Sequence, residues 1–344
     1  MKKTRIGIIG AGKIAQRLHL PLYKGIKTAE VKAICDVKKN KAAVLAEKFK
    51  IKNIYSDYKK MIKNAGIDAV SVCAPNYLHA PMTIFAAENK KHVLCEKPMA
   101  LTMNEMKQMI RACEKNRVKL MVEQAQRFDP AHEAFKNFIK SGRLGKIVSI
   151  RAKLGHSGPE FWSNDSPWFF DRAKSGGGVT MDVGIHIVDL VRFVTGKEVK
   201  EAGALMDNLV KKKMKLEDNV EIAARFKDGS LGVIEASWTN SPYEVVVQVY
   251  GEKGKAIVTR PERGNSGISA WTVNPAKPYT TVKKIRVKVP KKPSYGNPCS
   301  HFIDVIRKNK KCISGGREGM KSMAVILAAI KSAKTKKIER VQYK

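Results

Sequence analysis

Apolar and polar residues recur along the first third of the chain in a fixed order: a short apolar run, a turn, then a helical stripe. Arg5-Ile6-Gly7-Ile8-Ile9 is an apolar run of the kind that forms a strand buried on both faces. A helical pattern carrying Leu18, Leu20 and Leu22 follows it. A second run, Val31-Lys32-Ala33-Ile34-Cys35, leads into a helical stretch at 41–49 and a short strand around Ile54-Tyr55. The spacing then predicts a helix at 57–63, a strand at 69–73, a helix at 81–88, a strand at 92–95, a helix at 105–116 and a strand at 119–123. Strands alternating with helices over short connections call for a doubly wound parallel sheet spanning residues 1–123.

The pattern changes after residue 124. Residues 147–153, 220–226, 230–238, 244–250 and 255–259 read as strands, several with period-two alternation. Lys227-Asp228-Gly229-Ser230 is a strong hairpin turn, and Gly251-Glu252-Lys253-Gly254 is a second. A mostly antiparallel sheet is expected within a second domain at 124–344, of a size suited to dimerisation. A Pro/Trp/Gly-rich segment occupies 155–178, and a helix is predicted from about Asp182 to Thr195. Residues 260–298 carry only weak strand signals. Residues 298–310 and 316–335 read as two helices, assigned to the second domain.

The first strand runs directly into Gly10-Ala11-Gly12-Lys13-Ile14-Ala15, a G-x-G-x-x-A turn placed between strand and helix. In that context Gly10 makes the tight turn and Gly12 lets backbone approach a pyrophosphate. Ala15 permits close helix–strand packing, and the helix N-terminus, with Lys13 and Ile14, faces the anion. The second strand ends in Asp36, 21 residues after Ala15. A carboxylate there accepts bonds from ribose hydroxyls and repels a 2′-phosphate, which favours NAD; Lys38 and Lys39 keep NADP open. Ligands of such sheets bind beyond the carboxyl ends of the strands, where Pro75, Asn76, His79, Glu96, Lys97 and Gln124 all fall.

Two further groups carry proton chemistry. Lys97 follows a buried run and precedes Pro98, whose ring restricts the local backbone. A partly desolvated lysine at such a strand end suits proton transfer. Asp182 and His186 lie four residues apart, so on a helix both face one way and can address a single hydroxyl. Gly176-Gly177-Gly178 just before them permits close backbone approach. From these residues alone, a solvated strand-end lysine and an ordinary helix start capped by Asp182 remain the plain alternatives. No third ligand at diagnostic spacing accompanies Asp182 and His186, so no metal is expected.

Composition narrows the classes. The chain of 344 residues is long enough for two domains. It holds no run of about 18 apolar residues, so neither signal peptide nor membrane span is expected. Cys35, Cys73, Cys95, Cys113, Cys299 and Cys312 form no C-x-x-C pair and read as reduced thiols of a cytoplasmic protein. The net charge of +35 raises nucleic-acid binding. Its distribution opposes that: residues 1–123 hold 25 Lys+Arg against 10 Asp+Glu, and residues 124–344 hold 41 against 21, without a concentrated basic face. A generally basic surface, or attraction of anionic substrates such as phosphorylated or nucleotide-linked sugars, accounts for it better.

Taken together, these residues resemble the Gfo/Idh/MocA oxidoreductases over essentially the full length. The resemblance rests on Gly10-x-Gly12-x-x-Ala15, Ala74-Pro75-Asn76-x-x-His79, Glu96-Lys97-Pro98 and Gln126-Arg127-Phe128-x-Pro130. It continues through Gly176-Gly177-Gly178-x-x-x-Asp182-x-Gly184-x-His186-x-x-Asp189 and Gly229-Ser230 ahead of Trp238. It implies a Rossmann domain followed by an α/β domain whose open sheet often forms a homodimer or homotetramer interface. It also implies hydride transfer between NAD(P) and a ring hydroxyl or ketone of a sugar, inositol or related polyol. Lys97 would assist proton transfer, His186 would act as acid/base, Asp182 would orient the substrate, and Glu96 would lie near the nicotinamide ribose. Arg127 and Trp168 are further substrate-contact candidates, and Trp162 or Trp168 could stack on a sugar ring. Many members carry a Trp-Arg pair ahead of the glycine run; Trp168-Phe169-Phe170-Asp171-Arg172 stands here, with Arg172 as a shifted substitute. A nucleotide-sugar (UDP-sugar) 3-dehydrogenase and a non-catalytic dinucleotide sensor are the alternative functions.

Overall fold

A computed structural model describes residues 2–161, 163 and 166–343. It divides into two compact units: Met1–Gln124 with Lys174–Gly176 and Tyr295–Met320, and Ala125–Ala173 with Gly177–Ser294 and Lys321–Lys344. Trp162, a candidate stacking residue, lies outside the described residues.

The first unit holds strands β1 (Thr4–Ile9), β2 (Ala29–Cys35), β3 (Asn53–Tyr55), β4 (Ala69–Val72), β5 (His92–Cys95) and β6 (Leu120–Val122). They form one all-parallel sheet in the order β3-β2-β1-β4-β5-β6. That order reverses direction between β1 and β4, and the crevice at such a reversal is where this architecture binds ligands. All four residues of β4 are buried, as expected for a strand covered on both faces. Helices Tyr58–Asn64 and Met103–Lys115 begin on side-chain caps. Asp57 accepts from the backbone N–H of Lys59 and Lys60, and Thr102 with Glu105 forms a capping box. The predicted elements are present with ends shifted by one or two residues.

The first of the two C-terminal helices lies in the first unit, where the second domain was expected. Helix Pro298–Lys308, capped by Asn297, buries Cys299, Phe302, Ile303 and Val305 within the first unit. Helix Gly316–Thr335 starts in the first unit and continues in the second.

The second unit is built on a nine-stranded sheet. Its strands are β7 (Ile147–Gly155), β8 (Val199–Asp207), β9 (Asn219–Phe226), β10 (Leu231–Ser237), β11 (Glu244–Gly251), β12 (Gly254–Pro261), β13 (Gly267–Thr272), β14 (Lys283–Ile285) and β15 (Glu339–Arg340). The order is β14-β13-β12-β11-β7-β10-β9-β8-β15. The two predicted hairpins close β9 on β10 and β11 on β12. One pair breaks the antiparallel rule: β7 and β10 run parallel, with Ser237 opposite Gly155. Burial alternates residue by residue along β9, so one face is covered and the other is open. Helices Pro130–Lys140 and Ile185–Thr195 pack against each other and against this sheet.

Helix Pro130–Lys140 and strands β8 and β15 of this unit were not predicted. Helix Pro130–Lys140 carries a proline in its first turn behind an Asp129 cap, and buries Ala131, Phe135, Phe138 and Ile139. Strand β8 has an exposed polar face and a weak apolar alternation.

Candidate active site

In the first unit β1 ends at Ile9 and the chain turns at Gly10, where φ is +97° and a Cβ would lie 2.3 Å from the carbonyl oxygen of Cys73. Both the backbone angle and the close approach therefore demand glycine. Gly12 is different: a Cβ there would meet nothing within 4 Å. Its surroundings are open, the space a pyrophosphate needs against backbone. Lys13 and Ile14 are exposed beside it, Ile14 at 40%. Asp36 accepts from the Ala11 backbone N–H with one carboxylate oxygen and from that of Lys38 with the other, each at 2.8 Å. The acid is thus tied to the glycine turn itself, where its charge disfavours a 2′-phosphate. Gln124 is buried, and its Oε1 has no hydrogen-bond partner among the described residues. An open glycine, an anchored acid and an unmatched amide oxygen fit a bound dinucleotide.

The other strand-end residues serve partly to hold this edge together. The His79 ring is fully buried, with Nδ1 2.7 Å from the Pro98 carbonyl and Nε2 2.8 Å from that of Ala74. Both nitrogens are engaged with backbone, so His79 staples the end of β4 to the Lys97-Pro98 turn. Asn76 donates through Nδ2 to the Ser175 carbonyl at 2.8 Å, and Pro75 precedes it half-buried. Glu96 also turns inward. Its Oε1 lies 2.8 Å from His19 Nε2, and its Oε2 accepts from the Lys97 backbone N–H at 3.2 Å. Between Val93 and Ala100 every residue is buried except Lys97, and the Lys97–Pro98 bond is cis.

The second unit repeats that arrangement. From Gly177 to Val194 every residue is buried except Asp182 and His186. Helix Ile185–Thr195 is preceded by a π-helical turn over Thr180–Gly184 that contains Asp182. A second π-helical turn, Ala15–His19, follows the glycine turn of the first unit. Such turns are rare and concentrate at functional sites.

Two residues with no assigned role hold Asp182. Trp238, fully buried, donates its Nε1–H to Asp182 Oδ2 at 3.1 Å, and His156 Nε2 lies 3.9 Å from the same oxygen. His156 Nδ1 accepts from the Gly158 backbone N–H at 3.0 Å, which leaves the proton on Nε2, toward the carboxylate. The sheet explains their proximity. His156 follows β7 and Trp238 follows β10; because these strands are parallel and in register, both chains emerge side by side, and His156 N–H donates to the Ser237 carbonyl at 3.1 Å. An aromatic series runs outward from there: Trp238 to Phe169 at 6.0 Å between ring centres, and Phe169 to Trp168 at 5.3 Å.

The glycine run has a packing reason. A Cβ on Gly178 would lie 2.1 Å from the Glu217 carbonyl oxygen, and the Glu217 side chain accepts from the Gly178 N–H at 2.8 Å. Glu217 also pairs with Arg172 at 2.9 Å. Arg127 departs from its expected role. It is 3% exposed and forks onto Asp189 through Nε and Nη2, each at 2.7 Å, with Phe193 beneath its guanidinium. That geometry makes it a scaffold group of the second unit.

Five of the six thiols are buried, and burial pushes Cys35 and Cys113 up to about 12, which leaves them protonated and inert. Among the described residues no group of three or more His, Cys, Asp or Glu could hold a metal, and no helix is long and apolar enough to cross a membrane.

Comparison with known proteins places this arrangement in a family. Residues 4–124 match the Gfo/Idh/MocA description "Oxidoreductase family, NAD-binding Rossmann fold", and residues 132–257 match the family's C-terminal domain. The chain belongs to the Gfo/Idh/MocA oxidoreductases, and its first unit is an NAD-binding Rossmann fold. It is 29% identical to the uncharacterized oxidoreductase YrbE of Bacillus subtilis (strain 168), over 96% of this chain and 94% of that protein. It is likewise 29% identical to a myo-inositol 2-dehydrogenase of Thermotoga maritima, over 98% of each. The solved aldose-aldose oxidoreductase of Caulobacter crescentus, complexed with glycerol, shares the fold with a TM-score of 0.84 at 24% identity, covering 98% of this chain and all of that one.

Proposed function

We propose that the protein oxidises a ring hydroxyl of a sugar, an inositol or a related polyol, or reduces the corresponding ketone, with NAD as hydride carrier. One observation carries this reading: in two otherwise buried stretches, the residues that reach the surface are Lys97 in one and Asp182 with His186 in the other. Ionisable side chains ordinarily keep solvent access, so this exposure takes its weight from falling within the two matched family domains. The myo-inositol 2-dehydrogenase relative supports the substrate class.

Gly10, Gly12, Lys13, Ile14, Asp36 and Gln124 would hold the NAD, which when bound supplies the hydride acceptor. His186 takes the hydroxyl proton as the C–H bond breaks and returns it in the reverse direction. Lys97 donates a hydrogen bond to the reacting oxygen. Asp182, fixed by Trp238, orients the neighbouring hydroxyl, and the edge of Trp168 borders that face. Self-association falls on the open face of the nine-stranded sheet, where Leu205, Leu231 and Val233 are 75%, 51% and 46% exposed. Light scattering should report a homodimer or homotetramer; a monomer at micromolar concentration would refute that.

The test of function is absorbance at 340 nm with NAD or NADP offered alongside inositols, aldoses, sugar phosphates and UDP-sugars. Reduction of NAD with a free sugar or polyol is expected. Turnover confined to UDP-sugars would reassign the substrate class, and NADH binding without turnover in either direction would reduce the protein to a sensor.

A further inference from the structure

The helix that follows the glycine turn carries a buried imidazole that the proposed mechanism does not use. His19 closes the π-helical turn Ala15–His19 and has no exposed surface. Its Nε2 meets Glu96 Oε1 at 2.8 Å, and the Glu96 side chain is only 8% exposed. The same carboxylate accepts from the Lys97 backbone N–H through Oε2. A continuous path thus runs from the glycine-turn helix, through imidazole and carboxylate, to the backbone that presents Lys97.

The groups around it are few. Cys73, beyond the end of β4, and Cys299, on helix Pro298–Lys308, border the imidazole together with Glu96. Tyr23, one turn along the same helix, stands 6.5 Å away ring to ring and bonds Ser71 at 2.8 Å. Burial alone would depress the imidazole; interactions with Cys73, Cys299 and the Glu96 carboxylate override it and leave His19 well above its ordinary value. Burial meanwhile raises the Cys73 thiol. A buried ion pair is a poor device for stability alone, since an apolar pair of equal volume often serves as well. Its value lies in fixed geometry.

We propose that His19 is a positioning residue: by clamping Glu96 it holds the Lys97 backbone, so that the glycine-turn helix and the Lys97 turn are set as one piece. The inference rests on the reading of Lys97 as the group at the reacting oxygen. Its test uses the full chain with His19→Leu, His19→Gln and Glu96→Gln. The first readout is amide hydrogen exchange in the peptide spanning Glu96 to Ala100, with the β1 peptide as internal reference. In His19→Leu that turn should exchange about tenfold faster relative to β1, beyond the rise that the loss of global stability gives both. His19→Gln, whose amide still donates, should keep the protection, and Glu96→Gln should lose part of it. With NAD and a substrate found at 340 nm, His19→Leu should lower kcat about 10- to 100-fold while KM and NADH affinity move less than about threefold.

Unchanged exchange at the turn in His19→Leu overturns the proposal. So does an equal rise at the turn and at β1 without rescue by His19→Gln, because that marks ordinary core packing. If His19→Leu does not fold, unchanged turn protection in Glu96→Gln is equally fatal. Exchange separates this inference from the functional reading: a Lys97→Met variant with normal turnover refutes the latter and leaves the exchange result to decide the former.

Discussion

The Lys97 turn and the Asp182–His186 helix solve one problem by different means. Each is a stretch in which only the ionisable residues of interest escape burial. The Lys97 turn is held by buried groups of the first unit: the His79 staple to two backbone carbonyls and the His19–Glu96 pair. Asp182 is held from strand ends distant in sequence, by Trp238 and His156, which the parallel pairing of β7 and β10 brings out together. A buried ion pair is rigid, and costly to break. An aromatic N–H on a carboxylate that keeps partial solvent access is weaker and easier to alter without collapse. Charge is thus fixed deep in the first unit and left adjustable in the second.

That contrast can be broken at either end. The largest effect is expected for His19→Leu, which strands the Glu96 carboxylate without its partner and should cost about 3–5 kcal/mol in denaturant unfolding. A loss below about 1 kcal/mol would mean that the pair is not the rigid element. Trp238→Phe keeps a ring and removes the donor to Asp182. Turnover should fall about tenfold with a smaller stability loss, and an unchanged rate would free Asp182 from dependence on Trp238.

The smallest effect is with pH. Because the folded His19 lies above its ordinary value, its contribution is full below about pH 6.5 and is lost as pH rises through the folded value. The gap in Tm between wild type and His19→Gln should therefore narrow from pH 6 to pH 9; a widening gap would mean that His19 is neutral when folded.

The same contrast explains what the sequence disclosed. Gly10, Gly12, Asp36 and Lys97 were legible because a strand, a turn and a helix that touch in sequence also touch in space. The helix that carries His186 was legible from the pattern, although the π-helical turn that carries Asp182 was not. His156 was invisible because its importance comes from the parallel β7–β10 pair, and no local period marks a pairing direction. Strand-end and motif positions make His79 and Arg127 ligand candidates but do not disclose their partners, the Ala74 and Pro98 carbonyls and Asp189, which are tertiary. The return of Tyr295–Met320 to the first unit escaped for the same reason: an amphipathic helix shows which face is apolar and not which sheet covers it.

The most direct measurement is turnover and NADH affinity, side by side, for wild type, Lys97→Met and His186→Ala. Turnover should fall about 10²–10⁴-fold in each variant while the NADH dissociation constant stays within about threefold. Near-wild-type turnover in both variants would contradict the assignment of proton transfer to the residues that alone escape burial.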